Sequence, residues 1–280
     1  MAIRFRLWIA AVRRPPVNAT LLALLSKMVI VAGLVVATTA LAERSRPALA
    51  ALVATLPISI GPILVIMAIE HDASFLEAVI LKSSASNGAS MAFIAACCNA
   101  LTRLRSPLAL AFAYGAWAPA AMLVHRLEWT TPAVLVWIAA AALACHLATR
   151  RLKAFRPERP AARQWWDLPL RAVGVATFVG VLTGFSAAIG PSAAGTLASA
   201  PIVMTSVTVI AQARMGGLAA AALLSNALPG MIGISLALCV VHELMPWLGV
   251  TGALVAGLAF SLLWSAAWLL RQQKGIASTR

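Results

Sequence analysis

Nine stretches of about 20 consecutive apolar residues, each almost free of charge, leave this chain one class of fold. A segment that crosses a bilayer must satisfy its backbone polar groups internally, and a helix of that length does so. The runs are continuous and do not alternate with a period of two, which excludes an outer-membrane barrel. With 62% hydrophobic and only 11% charged residues among 280, a soluble domain would have nowhere to bury the surplus. The expected class is an all-α integral membrane protein. Its spans are read at 20–42, 47–69, 73–101, 107–124, 131–149, 169–187, 191–213, 217–242 and 247–270. A basic arm (1–19) precedes them, with Arg4, Arg6, Arg13 and Arg14 flanking Trp8. Its apolar core of six residues is too short for a signal peptide. The one extended hydrophilic loop, 151–168, is rich in proline and charge, and a short tail covers 271–280.

The formal charge of +14 does not call for nucleic acid, because Lys and Arg crowd the cytoplasmic loops of membrane proteins. With the C-terminus inside, the inside segments hold 15 basic residues and the outside ones five, the four arm arginines and Arg126. That bias places the C-terminus and the 150–171 loop in the cytoplasm of a cytoplasmic (inner) membrane, and nine spans then put the N-terminus outside. The four arginines of the arm are the discordant element. Cys97, Cys98, Cys145 and Cys239 all lie inside apolar runs without metal-ligand spacing, so inert buried thiols are expected.

The chain also repeats itself. An offset of 144 places Pro47 on Pro191, Ala54 on Ala198, Pro57 on Pro201 and Ile58 on Ile202. Further back it places Lys27 on Arg171, Val29 on Val173, Val31 on Val175, Ala32 on Ala176, Val35 on Val179 and Thr39 on Thr183. All but Val29 fall within about 140° of one helix face, the mark of a packing or pathway surface rather than of lipid contact. After a two-residue gap, an offset of 142 places Ser83 on Ser225, Ala85 on Ala227, Gly88 on Gly230 and Cys97 on Cys239. The fourth helices add Ala111 with Ala253 and Gly115 with Gly257. Small residues stacked in this way let helices approach closely in lipid. Two four-helix units, 20–128 and 169–270, therefore flank one linker helix, 129–150. An odd number of intervening spans inverts the second unit, giving a 4+1+4 inverted repeat of about nine transmembrane helices.

Each unit resembles the small GlpM-type inner-membrane proteins with four helices. The likeness lies in the basic residue early in the first helix (Lys27, Arg171), in Ala194, Gly195, Leu197 and Pro201 of the second, and in a mid-span glycine of the third (Gly88, Gly230). It covers about residues 20–124 and 164–270. The first copy departs from it, with Ala50-Ala51-Leu52 where the second has Ala194-Gly195-Thr196. The resemblance implies a membrane location and little about activity. The overall plan is also similar to that of the drug/metabolite transporters, with nine spans in place of ten.

Candidate solute-binding residues follow from the interruptions and the polar groups within spans. Pro57 and Pro201 each remove a helical hydrogen bond and free a carbonyl, which either contacts a solute or only shapes packing. Lys27 and Arg171 either snorkel to the interface or point inward toward an anionic solute. Ser83, Ser84 and Asn87, with the matching Ser225 and Asn226, either line a polar path or bond neighbouring helices. Lys82, a charge within a span, is a candidate by default. Nothing resembles a hydrolase elbow, a phosphate loop or a metal cluster, so neither enzyme chemistry nor a cofactor is expected. The reading is a permease that moves a small metabolite or lipid-like solute, anionic if the basic pair points inward, by alternating access between inverted units. The competing reading is a non-transporting scaffold or accessory subunit of an envelope-assembly pathway. Beyond the lipid bilayer and the solute, the sequence leaves open a homodimer or a membrane-complex partner.

Overall fold

The computed structural model describes residues 17–44, 60–152 and 167–277. Pro57, most of the basic arm and most of the 151–168 loop lie outside them. The described residues form helices and contain no strand: α1 (Val17–Arg44), α2 (Ile60–Glu70), α3 (Ala73–Leu101), α4 (Ser106–Arg126), α5 (Thr131–Thr149), α6 (Asp167–Ala198), α7 (Ile202–Ser225) and α8 (Leu228–Ala277). Among the described residues three stretches are long and apolar enough to cross a bilayer: Ser106–Arg126, Thr131–Thr149 and the 100-residue run Ala172–Arg271. The described residues are thus all helical, with the length and apolar character of a membrane protein. Large side chains such as Val29 (70% exposed), Phe112 and Leu263 stand outward, which suits a surface bathed in lipid.

The long run is not one rod. Gly190 (φ 78°, ψ 169°), Gly216 (φ 79°, ψ 170°) and Gly249 (φ 66°, ψ 175°) interrupt α6, α7 and α8. Only glycine adopts these angles without a steric penalty, and each turns the chain. Contacts with α3 show the reversal at Gly216. Before it, Gly195, Ser199 and Thr208 meet Ser83, Ser90 and Cys97 in rising order. After it, Ala221 and Ser235 meet Cys98 and Ser84 in falling order.

Two of these turns fall between spans read from the sequence, at 187–191 and 213–217. The third differs. The sequence places a break at 242–247, whereas helix continues through Pro246 and turns at Gly249. The turn needs a positive φ, which Gly249 tolerates and Trp247 does not. Helix also extends past the expected ends elsewhere. It starts at Val17 inside the stretch read as a basic arm, and it runs to Ala277 inside the expected tail.

The helix α3 is the axle of the bundle. It packs on α2 and on every helix from α4 to α8. From Val79 to Met91 every residue is buried, so no face of this segment meets lipid. Two apolar clusters share it. One gathers the second half of α3 with α4, α5, α7 and the first part of α8, around Phe93, Ile94 and Leu101. The other gathers its first half with α1, α2, α6 and α8, around Ile63, Met67 and Val79. On α1 and α6 the face that carries the repeat is the face that packs. Val31, Val175, Ala176, Val179 and Thr183 are buried, while Val29 and Val173 are exposed.

The two ends of the bundle differ in charge. At one end Asp72 caps α3, His71 bonds Ser186 at 2.8 Å, and Thr131 donates to Glu243. Glu70 and Glu128 lie in the corners beside them. The opposite end carries Arg103, Arg105, Arg150 and Arg151. There Gln212 Nε2 donates to the Leu104 carbonyl at 2.8 Å, and Asn99 reaches the Ala148 carbonyl at 3.3 Å.

Candidate functional site

The middle of α3 carries Lys82, Ser83, Ser84, Ser86, Asn87 and Ser90, all 7% exposed or less. Polar groups buried at this depth must find partners, and most of them do so on the interrupted helices. Ser83, Ser86 and Ser90 recur at three- and four-residue spacing and share one face of α3. Their hydroxyls donate to the carbonyls of Gly195 (3.0 Å), Thr196 (2.8 Å) and Ser199 (2.7 Å). Ser199 returns a bond to the Ser83 carbonyl at 2.8 Å.

These carbonyls sit where α6 stops and α7 begins. Pro201 has no N–H to donate, and the Ala200 N–H turns back to Leu197 at 2.8 Å. The serines thus replace donors that the break removes. The close fit has a second cause in Gly195, where a Cβ would lie 2.7 Å from the Val79 carbonyl oxygen.

A second break, at Asn226–Ala227, separates α7 from α8. Asn226 Nδ2 bonds the Ala222 carbonyl of its own helix at 3.0 Å, and Ser225 does the same at 2.8 Å. Ser84 faces the segment that follows, donating to the Ser235 carbonyl at 2.9 Å. Trp137 closes another side. Its indole lies over Gly88, whose missing side chain makes the room, and donates to the Ala85 carbonyl at 2.8 Å.

Asn87 is the exception. It is 7% exposed, and its amide nitrogen has no hydrogen-bond partner among the described residues. At 3.6 residues per turn it lies about 60° from Ser84 and about 60° from Ser90 on the helix circumference. It therefore faces between the segment around Ser199 and the segment around Ser235. It is also the fifteenth residue of the 29 in α3, so about 21 Å of helix extends to either side. An amide held without a partner at mid-depth, between two helix breaks, can donate to an oxygen acceptor on a small solute.

The remaining sequence candidates are not gathered there. Lys82 reaches away from the centre and donates to the last carbonyls of α4, at Val124 (3.2 Å), His125 (3.3 Å) and Leu127 (2.6 Å). A cation suits a helix C-terminus, where carbonyls have no helical donor. Lys27 pairs with Glu70 at 2.5 Å. Arg171 lies on α6, whose Gly180 and Gly184 pack on Met28 and Leu24 of α1. Continuing that antiparallel register sets Arg171 about ten residues, or about 15 Å, along the pair from Lys27. Among the described residues no group of three or more His, Cys, Asp or Glu side chains could hold a metal. The sequence reading passed over Ser90, Ser199 and Trp137. The spacing of Ser83, Ser86 and Ser90 on one face was the available signal.

No family model, curated protein or solved structure matches this chain.

Proposed function

We propose that the protein is a nine-helix permease in which two inverted four-helix units, 20–128 and 169–270, move a small polar solute past Asn87 by alternating access. The observation that carries this reading is the way matched helices cross. Leu24 and Met28 of α1 lie against Gly184 and Gly180 of α6. Four more residues along both helices bring Ala32 opposite Ala176, a pair matched by the 144 offset. Likewise Cys98 and Ser84 of α3 meet Ala221 and Ser235. Ten residues on from Cys98 and Ala221, Gly88 comes opposite Met231, next to its match Gly230. Two antiparallel crossings centred on equivalent residues are what a pseudo-twofold axis in the membrane plane produces. Asn87 adjoins the second crossing.

The basic end is assigned to the cytoplasmic side of an inner membrane by the positive-inside bias. With Lys27 on Glu70 and Lys82 on three carbonyls, the sequence candidate on α3 left to meet a solute is the Asn87 amide. The test is counterflow of a panel of small polar metabolites into liposomes holding the purified chain, with Asn87→Leu alongside. Flux in the wild type that is lost in a folded Asn87→Leu supports the proposal. Absence of flux for every solute, with a membrane partner co-purifying, overturns it in favour of a scaffold. Reporter fusions check the topology independently, because nine spans require the two termini on opposite sides.

A further inference from the structure

A lateral cleft of about 820 Å³ opens between the last two turns of α3 and the first half of α4. Its walls are small, Ala96 and Ala100 on one side and Ala111 and Gly115 on the other, with Phe112 at its edge (64% exposed). A Cβ at Gly115 would meet no atom within 4 Å, so the hollow is open there. The cleft runs inward from the basic end. From Leu104 at the mouth to Ala96 the lining covers eight residues, about 12 Å, against about 15 Å for half of a hydrocarbon core. The cleft reaches most of the way through one leaflet.

The mouth is cationic. Arg103 lines it, and no lining residue is acidic. The Asn99–Ala148 bond draws the end of α5 alongside, which brings the exposed Arg150 and Arg151 to the same end as Arg105. Guanidinium groups bind phosphate oxygens in pairs, and basic pockets between membrane helices hold anionic headgroups.

We infer that this cleft holds one acyl chain of an anionic phospholipid whose phosphate lies on Arg103. The site is separate from Asn87 and stands whether or not the protein transports. Native mass spectrometry of the full-length chain, released from micelles doped with phosphatidylglycerol or phosphatidylcholine, tests it. One retained phosphatidylglycerol per chain is expected, with phosphatidylcholine retained at least fivefold less. Arg103→Gln is expected to weaken retention about fivefold, one basic residue's share of the attraction. Gly115→Leu, which fills the cleft, is expected to abolish it. Gly33→Leu adds the same bulk at an exposed position outside the cleft and is expected to leave retention intact. Equal retention of the two lipids overturns the inference, as does wild-type retention by folded Gly115→Leu. Displacement of the lipid by inorganic phosphate alone also overturns it, since that would leave the acyl chain no part in binding.

Discussion

Replacing Ser90 by alanine probes how the broken helix at Pro201 is held. The substitution removes one oxygen and nothing else, at a position 2% exposed. Its size depends on whether the Ser199 carbonyl has another donor. An ordinary interhelical hydrogen bond inside a membrane averages about 0.6 kcal/mol, because the backbone acceptor usually keeps its helical partner. The Ser199 carbonyl lies where the helix has stopped, two residues before Pro201, and accepts from Ser90 at 2.7 Å. Left without a donor in a buried site, such a carbonyl costs about 1–3 kcal/mol. Ser90→Ala should therefore destabilise by about 1–3 kcal/mol, read as a shift in the unfolding midpoint in mixed micelles.

Ser206→Ala is the matched control. That hydroxyl bonds the Val203 carbonyl within α7, an acceptor inside continuous helix, and its loss should stay within about 0.5 kcal/mol. Ser86→Ala combined with Ser90→Ala should deviate from additivity, since both serve the same short segment. If Ser90→Ala loses no more than Ser206→Ala, the reasoning fails, and something other than the α3 serines holds the break together.

Lys82→Met leaves the end of α4 without its cation and should destabilise by about 1.5–3 kcal/mol, the range for hydrogen bonds to a charged group. A loss within about 0.5 kcal/mol would show those carbonyls satisfied by water. Gly217→Ala drives a Cβ into the Leu101 carbonyl, which is backbone and cannot swing aside, so about 1–3 kcal/mol is expected in the same assay. Gly33→Ala, in open space, should show no such clash. Asp72 is held below the usual carboxylate range, first by the Phe75 N–H at 2.8 Å and then by the Ser74 hydroxyl at 2.9 Å. Its folded pKa is lower than its unfolded one, so its contribution is complete above the unfolded value of about 3.9 and is lost as pH falls through the folded value. The melting-temperature gap between wild type and Asp72→Asn should stay flat from about pH 8 to pH 5 and shrink below about pH 4. A gap that changes between neutral and mildly alkaline pH would contradict this.

Much of the helix plan is legible in the sequence. The third and fifth helices begin and end where the apolar runs do, at 73–101 and 131–149, because charge and proline mark their borders. Legibility fails where a boundary has no charge. The last turn belongs to Gly249, yet hydropathy points to the polar residues near His242 and Glu243, which remain helical. Pro119 and Pro246 show the same ambiguity from the other side. Both sit within helix, while Pro201 marks a break. A proline removes one donor wherever it stands, and neighbouring helices decide whether the chain continues past it.

The candidate site was only partly legible. Asn87 stood among the candidates with nothing to rank it, since Ser83, Lys82 and Lys27 carry the same kind of signal. What separates them is their partners, and these lie 42 to 112 residues away along the chain: Glu70 for Lys27, the α4 carbonyls for Lys82, Gly195 for Ser83.

By itself the sequence determined the class, the approximate spans and the residues that repeat, because each depends on local hydropathy or on comparing the chain with itself. Only the tertiary structure decided which helix is the axle, where the long apolar run turns, and which of the polar groups in the middle of the third helix lacks a partner. Hydrogen-bond satisfaction inside a bilayer is a property of pairs of helices, and one strand of residues carries no record of its neighbours. Asn87 is distinguished by a bond it does not make, and that becomes visible only when the other helices are in place.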